Sequence, residues 1–276
     1  MKRILFPTDF SDVATNAFIH ALELAKKVNG EIVLLHTFEF PIIDNQYFPE
    51  NYQVLFDSIE LAKFDKFKEE IPKLRKMAEE LHLDNIKLSH RLMDGDLLQN
   101  IKTTIKEDKI DFVVMGTSGA SGWKEIFIGT NTGEVLTSID IPVLTIPLIA
   151  KYTKIETIGF TTRFRDKDKL ALKNVLSLAK KMNARVKCLY VKTSSSDVSE
   201  TVINNWETEF IDEPVLFYII PGEEIKNTIF DFITNQGIDI LAMTTYKRNF
   251  FMELFTTPFT EKMSYQSTIP ILVMHK

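Results

Sequence analysis

The sequence predicts an α/β doubly wound fold that occurs twice in tandem along its 276 residues. Three observations carry this expectation. Short apolar runs alternate with segments of helical periodicity. The runs are apolar at consecutive positions rather than alternate ones. The whole order then recurs once. Runs apolar on both faces suit strands of a parallel sheet covered by helices on either side, and strand–helix alternation builds that sheet.

The first run, Ile4 to Phe6, leads into a loop with Pro7, Thr8, Asp9 and Ser11. Ser11 has the chemistry of an N-cap, and Ala14, Ala17, Phe18, Ala21, Ala25 and Val28 follow at helical spacing. Ile32 to Leu35 is the next strand. Further on come a strand at Ile86 to Leu88, a helix using Leu98, Ile101 and Ile105, a strand at Phe112 to Met115, a helix from about Thr132, and a strand at Val143 to Ile146. Between the second and third strands, Phe64, Phe67, Ile71, Leu74, Ala78 and Leu81 line one face of an amphipathic helix over 53–82, expected to kink or split at Pro72. That face packs on its own sheet or forms a subunit contact; both stay open.

Sliding the chain by 154 residues places Phe6 on Phe160, Phe10 on Phe164, Leu24-Ala25-Lys26-Lys27 on Leu178-Ala179-Lys180-Lys181, and Leu35 on Leu189. An offset of 128 places "IDFVVMGTSG" on "IDILAMTTYK" and "IPVLTI" on "IPILVM". Two gapless matches in the same order predict a tandem duplication. The domains are 1–147 and 153–276, joined near Pro147 to Tyr152, and the helical segment over 53–82 is an insertion in the first.

Composition excludes several functions. Net charge is −5 with scattered basic residues, so no nucleic-acid surface is expected. The single cysteine, Cys188, replaces a core leucine and forbids an internal disulfide. His20, His82, His90 and His275 lack metal-ligand spacing, so no metal site is expected. The apolar run after Met1-Lys2-Arg3 is too short for a signal peptide, and no stretch reaches the ~18–20 apolar residues of a membrane span. The expectation is a cytoplasmic protein with neither membrane nor nucleic-acid partners.

Five of the ten glycines, at 116, 119, 122, 129 and 133, cluster after the run Phe112 to Met115. In open parallel sheets, ligands bind beyond the carboxyl ends of strands. Gly129 and Thr130 stand just before a helix expected to begin near Asn131 or Thr132, where free N–H groups favour phosphate. Strand end, glycine loop and helix start together make a backbone cradle for an anion, although glycines after a strand can also serve turns alone. Trp123 and Phe127 in this loop are read as packing or as lid residues. The chain has no G-x4-G-K-[ST] and no G-x-S-x-G.

The spacing G-x2-G-x9-G-[ST], here Gly116, Gly119, Gly129 and Thr130, together with "ILFPTDFSD", resembles the universal stress protein family in its ATP-binding branch. "LLH", "VVMG", "KEIFIGT" and "IPVLTI" fall where that family has them, and the resemblance covers essentially the whole chain as two tandem domains. It implies a Rossmann-like, adenine nucleotide alpha hydrolase-like fold in each half, a five-stranded parallel sheet with helices on both faces. It also implies ATP, with or without Mg²⁺, as a stress-response effector. On that resemblance, Asp9 faces adenine with Pro7 and Thr8 shaping its loop, and Thr37 offers backbone to the base. Met115 and Gly116 lie near ribose, while Gly119, Gly129, Thr130 and Asn131 surround the phosphates. Asn131 departs from a small apolar residue frequent in the family, and Ser118 from a longer polar one.

The second half changes every one of the positions compared. Asp9 maps to Arg163, Gly116 to Thr244, Gly119 to Lys247, Gly129 to Thr257 and Thr130 to Pro258. It is expected not to bind ATP, Lys247 and Arg248 lying on a solvated loop, and to act as a structural partner. The resemblance implies pairing through last strands, so that the halves mimic a dimer within one chain; a homodimer stays open. No catalytic residue is assigned. Two other functions stay open: a slow ATPase, for which His36 and Asp9 are the candidate bases, and a nucleotide-free partner-binding module.

Overall fold

Parallel ladders organise the chain. A computed structural model describes residues 1–39, 52–117, 130–244 and 269–275, in two compact units, Met1–Met115 and Gly116–Lys276. From the amino terminus the chain forms β1 (Lys2–Pro7), α1 (Asp12–Val28), β2 (Gly30–Phe38), α2 (Tyr52–Glu80), β3 (Leu88–Asp94), α3 (Leu97–Asp108) and β4 (Phe112–Gly116). The strand order is β3-β2-β1-β4, all parallel. Ile4, Leu5, Phe6, Ile32, Leu34, Leu35, Val113 and Val114 are fully buried, which explains their unbroken apolar runs. The Ser11 hydroxyl caps α1 by accepting from the Ala14 amide at 3.3 Å, and the helix ends at Asn29 in the left-handed conformation.

The second unit contains α4 (Thr130–Ser138), β5 (Val143–Ile146), β6 (Thr157–Thr161), α5 (Asp166–Met182), β7 (Arg185–Lys192), α6 (Glu200–Glu209), β8 (Val215–Pro221), α7 (Ile225–Gln236), β9 (Ile240–Thr244) and β10 (Ile271–Met274). Its order is β5-β10-β9-β6-β7-β8. The pairs β10–β9, β9–β6, β6–β7 and β7–β8 are parallel. β5 runs antiparallel to β10, with Leu144 opposite Leu272.

Two elements differ from expectation. The third strand spans 88–94, beginning where the apolar run was expected to end. It is an edge strand with half-buried residues, so Ser89, His90 and Arg91 give it no apolar signature. The insertion helix is a single element with Pro72 inside it. Only Phe67, Ile71, Leu74 and Ala78 of its predicted face are buried, whereas Phe64 and Leu81 are 50% and 39% exposed. The helix packs on α1 and β3.

Local geometry recurs at the offsets read from the sequence. α1 and α5 are 154 residues apart, and Asn29 and Asn183 end them in the same left-handed conformation. Asp111 accepts from the Arg3 amide at 2.8 Å. Asp239 likewise accepts from the amides of Glu156 and Thr157 at 2.8 and 2.9 Å. Each carboxylate anchors the start of a strand, β1 or β6, to the loop before β4 or β9.

Asp239→Ala strips one acceptor from two amides. A charge-assisted bond of this kind contributes about 1.5–3 kcal/mol, so urea unfolding followed by circular dichroism is expected to give a stability loss of about 2 kcal/mol. An unchanged midpoint would show that the anchor does not hold β6.

Candidate functional site

In the first unit, β1 stops before its neighbour does. Its ladder with β2 ends at Pro7 opposite Leu35, whereas β2 continues against β3 as far as Phe38 opposite Asp94. The Thr8 amide makes the last link, donating to the Leu35 carbonyl at 2.8 Å. Leu35 therefore turns its carbonyl toward β1. The two-residue period of a strand points the N–H and C=O of Thr37 the same way, where β1 has no residue opposite it. The main chain of Thr37 thus lies beyond the end of the β1 ladder.

The loop after β1 is built around Thr8, which is buried. Its hydroxyl accepts from the Phe10 amide at 3.0 Å, and its carbonyl accepts from the His36 Nδ1–H at 2.7 Å. Phe10 takes φ of 61°, a left-handed conformation rare for an aromatic residue. That turn lays its ring against His36, centroids 4.8 Å apart, and near Phe67 of α2 at 6.0 Å. Asp9 is exposed at the tip, and its Oδ1 accepts from the Ser11 amide at 3.0 Å. Pro7 is buried at the end of β1. Met115 is buried near the end of β4, two residues beyond Val113, which pairs with Leu5.

In the second unit, Gly116 closes β4 and its carbonyl accepts from the Thr132 hydroxyl at 3.1 Å. The Thr117 amide donates to the Ile146 carbonyl at 3.1 Å. α4 begins at Thr130, one or two residues earlier than expected. Asn131 is exposed on its first turn and Thr132 is buried. The leading N–H groups of an α-helix have no partner within the helix. Ser118, Gly119 and Gly129, with Trp123 and Phe127, lie outside the described residues, as do Lys247, Arg248, Thr257 and Pro258.

His36 does not have the surroundings of a base poised over solvent. One ring nitrogen is engaged by Thr8, and the ring packs against Phe10 and Phe67. Burial pushes its pKa below the ordinary imidazole value, and the bond to the Thr8 carbonyl opposes that shift.

The second unit repeats the loop after β6 with different chemistry. The Thr162 amide donates to the Leu189 carbonyl at 2.9 Å, and the Phe164 amide donates to the Thr162 hydroxyl at 2.8 Å. Phe164 has φ of 53°. Asp168, completely buried, is a residue that the motif comparison does not single out. Its Oδ2 accepts from the Arg163 amide at 2.7 Å, the Thr162 hydroxyl at 3.2 Å and the Arg165 amide at 3.3 Å. Its Oδ1 accepts from the Thr244 hydroxyl at 2.6 Å. The signal was an aspartate in the first turn of a helix, at a position where the first half has Ala14.

Among the described residues, no cluster of three acidic, histidine or cysteine side chains could hold a metal ion, and no helix is long and apolar enough to cross a membrane.

The family model described as "Universal stress protein family" matches residues 1–147. The chain belongs to the universal stress protein family. Universal stress protein MJ0531 of Methanocaldococcus jannaschii is 28% identical over 145 residues, 52% of this chain and 81% of its own. Universal stress protein MJ0577 of the same organism is 26% identical over 157 residues, 52% of this chain and 94% of its own. A crystal structure of a universal stress protein from Archaeoglobus fulgidus superposes with a TM-score of 0.72 at 17% identity, covering 99% of this chain and 98% of that one. This last likeness shows the fold, so mixed α/β architecture with parallel strands holds for both halves.

The lowered pKa of His36, and of His275, which burial also depresses, sets a sign for pH dependence. The unfolded chain takes up protons near the ordinary value of about 6.5 before the folded chain does, so stability is present above that pH and declines as pH falls below it. Urea midpoints measured between pH 7.5 and 5 (spanning that value of about 6.5) are expected to fall, with a shallower slope in His36→Asn. An identical slope in His36→Asn and His275→Asn would contradict the assignment.

Proposed function

We propose that the first half of this universal stress protein binds ATP as a regulatory effector of the stress response in the cytoplasm. Asp9 accepts from the adenine amino group, with Pro7 and Thr8 holding its loop, and the main chain of Thr37 meets the base edge. Met115 and Gly116 border the ribose. Ser118, Gly119, Gly129, Thr130 and Asn131 supply backbone and side-chain donors to the phosphates, and Mg²⁺ accompanies the triphosphate. The observation that carries this reading is the full glycine set, Gly116, Gly119 and Gly129 with Thr130, in a half where β2 leaves the main chain of Thr37 without a partner in β1.

ATP acts here by binding one conformation better than another. Hydrolysis is the weaker reading, because one candidate base, His36, is held by Thr8 and packed against two phenyl rings. The second half binds no triphosphate and serves as a structural partner. The antiparallel pairing of β5 with β10, the last strands of the two repeats, supports that role.

Isothermal titration of the full chain with ATP and Mg²⁺ is expected to give one site per chain. Gly129→Arg should abolish the heat. Asp9→Ala should weaken binding about tenfold, the equivalent of 1.4 kcal/mol. Absence of binding at millimolar ATP, or steady phosphate release that survives Gly129→Arg, would overturn the proposal in its first or its second part respectively.

A further inference from the structure

β8 is the outer strand of the second unit, and no described residue pairs with its far edge. Its sequence, Val215-Leu216-Phe217-Tyr218-Ile219-Ile220-Pro221, carries no charge. Edge strands that stay alone are guarded by charged side chains, by bulges or by proline. β3, the outer strand of the first unit, follows that rule with His90, Arg91 and Asp94, and Arg91 is tied to Glu107 and Asp108. On β8 the only such guard is the proline at its last residue.

Register decides which groups face outward. The Val186 amide donates to the Pro214 carbonyl, and past the ladder the Gly222 amide donates to the Lys192 carbonyl. Even-numbered residues of β8 therefore turn their main chain toward β7. The two-residue period of a strand aims the main chain of Phe217 and Ile219 away from it. Both ends of this outward row are closed to further donation. The Val215 amide already donates to the Glu213 carbonyl at 2.7 Å, and proline has no N–H to offer at 221. What is left at the centre is one donor and one acceptor on each of Phe217 and Ile219, disposed evenly about Tyr218.

That pattern is its own complement. A two-fold axis through Tyr218 sets Phe217 of one protomer opposite Ile219 of the partner subunit, and each such pair exchanges two N–H···O=C bonds as in an antiparallel ladder. The side chains agree with this register. Phe217 stands on the face of Phe164 and Phe210, and Tyr218 on the other face, against Phe232. The axis then puts Tyr218 beside its own copy and Leu216 beside Ile220 of the partner subunit, so apolar and aromatic pairs form on both faces. Leu216 is 54% exposed, and Ile211 and Ile225, just outside the two ends of β8, are exposed as well. Antiparallel pairing brings the end bearing Ile211 alongside the partner's end bearing Ile225. Glu213 and Glu223, which approach there too, are already bound, to Lys180 and to Ser194 respectively.

We infer that the free edge of β8 is a docking surface for a second copy of this chain, giving a two-fold dimer in which two sheets join edge to edge. The matching of outward groups about one point selects a second copy as the occupant. The last strands of the repeats, β5 and β10, already pair within the chain, so this contact is separate from theirs. It goes beyond the ligand proposed for the first half and does not depend on it.

The test is sedimentation equilibrium of the full chain over about 1–200 µM, where mass action makes a dimer depend on concentration. A monomer–dimer equilibrium is expected. Leu216→Lys places a charge at an exposed position of the edge, and should raise the dimer dissociation constant at least tenfold while leaving the thermal midpoint in place. Tyr218→Cys should give a disulfide-linked dimer on air oxidation, because position 218 faces its own copy and the one native cysteine, Cys188, is buried. Three results would overturn the inference: a monomer at every concentration, a dimer whose constant is indifferent to Leu216→Lys, or no cross-link in Tyr218→Cys protein that still dimerises. A monomer that titrates with ATP would remove this contact alone, and a dimer that takes no ATP would remove the first-half assignment alone.

Discussion

Two amide bonds set the plan of this protein. Thr8 donates to Leu35 in one unit and Thr162 to Leu189 in the other, and each is the last link between the first strand and its neighbour. Beyond them the first strand turns away under the control of a threonine hydroxyl and a left-handed phenylalanine. The second strand runs on. Backbone groups at a strand edge need partners, and among the described residues no strand lies opposite this edge, which sits at the sheet end. The opening at each of these sheet ends is therefore a consequence of unequal strand lengths more than of any one side chain.

At that opening the two halves differ in a few residues. Ala14 and Gly116 in the first half correspond to Asp168 and Thr244 in the second. The second-half pair forms a short hydrogen bond, and Asp168 also gathers two amides and a further hydroxyl. A carboxylate so well supplied with donors can stay buried, since its desolvation is offset by charge-assisted bonds. It ties α5 to β9. The first half thus has a glycine at the end of β4, and the second a threonine bonded to a buried aspartate at the end of β9.

Several features were legible in the residues because they depend on local physics. Apolar runs gave the buried strands, the Ser11 cap gave the start of α1, and gapless self-similarity gave the offsets at which geometry recurs. β3 was misplaced because an edge strand half in solvent need not be apolar. The insertion helix was overcredited with a buried face, since periodicity marks what could pack, and only neighbours decide how much does. Gly116 and Thr37 could be assigned roles from a motif, whereas Asp168 could not, because its partners lie both in the loop before it and 76 residues away at Thr244.

Sequence alone determined the fold class, the repeat spacing and the residue types on offer at each strand end, because these follow from period, polarity and self-comparison along the chain. Tertiary structure decided which main-chain groups extend past the neighbouring strand, which carboxylate is buried, and that the second half has a cavity of its own. Those properties depend on where neighbouring strands stop, and no residue carries that information by itself.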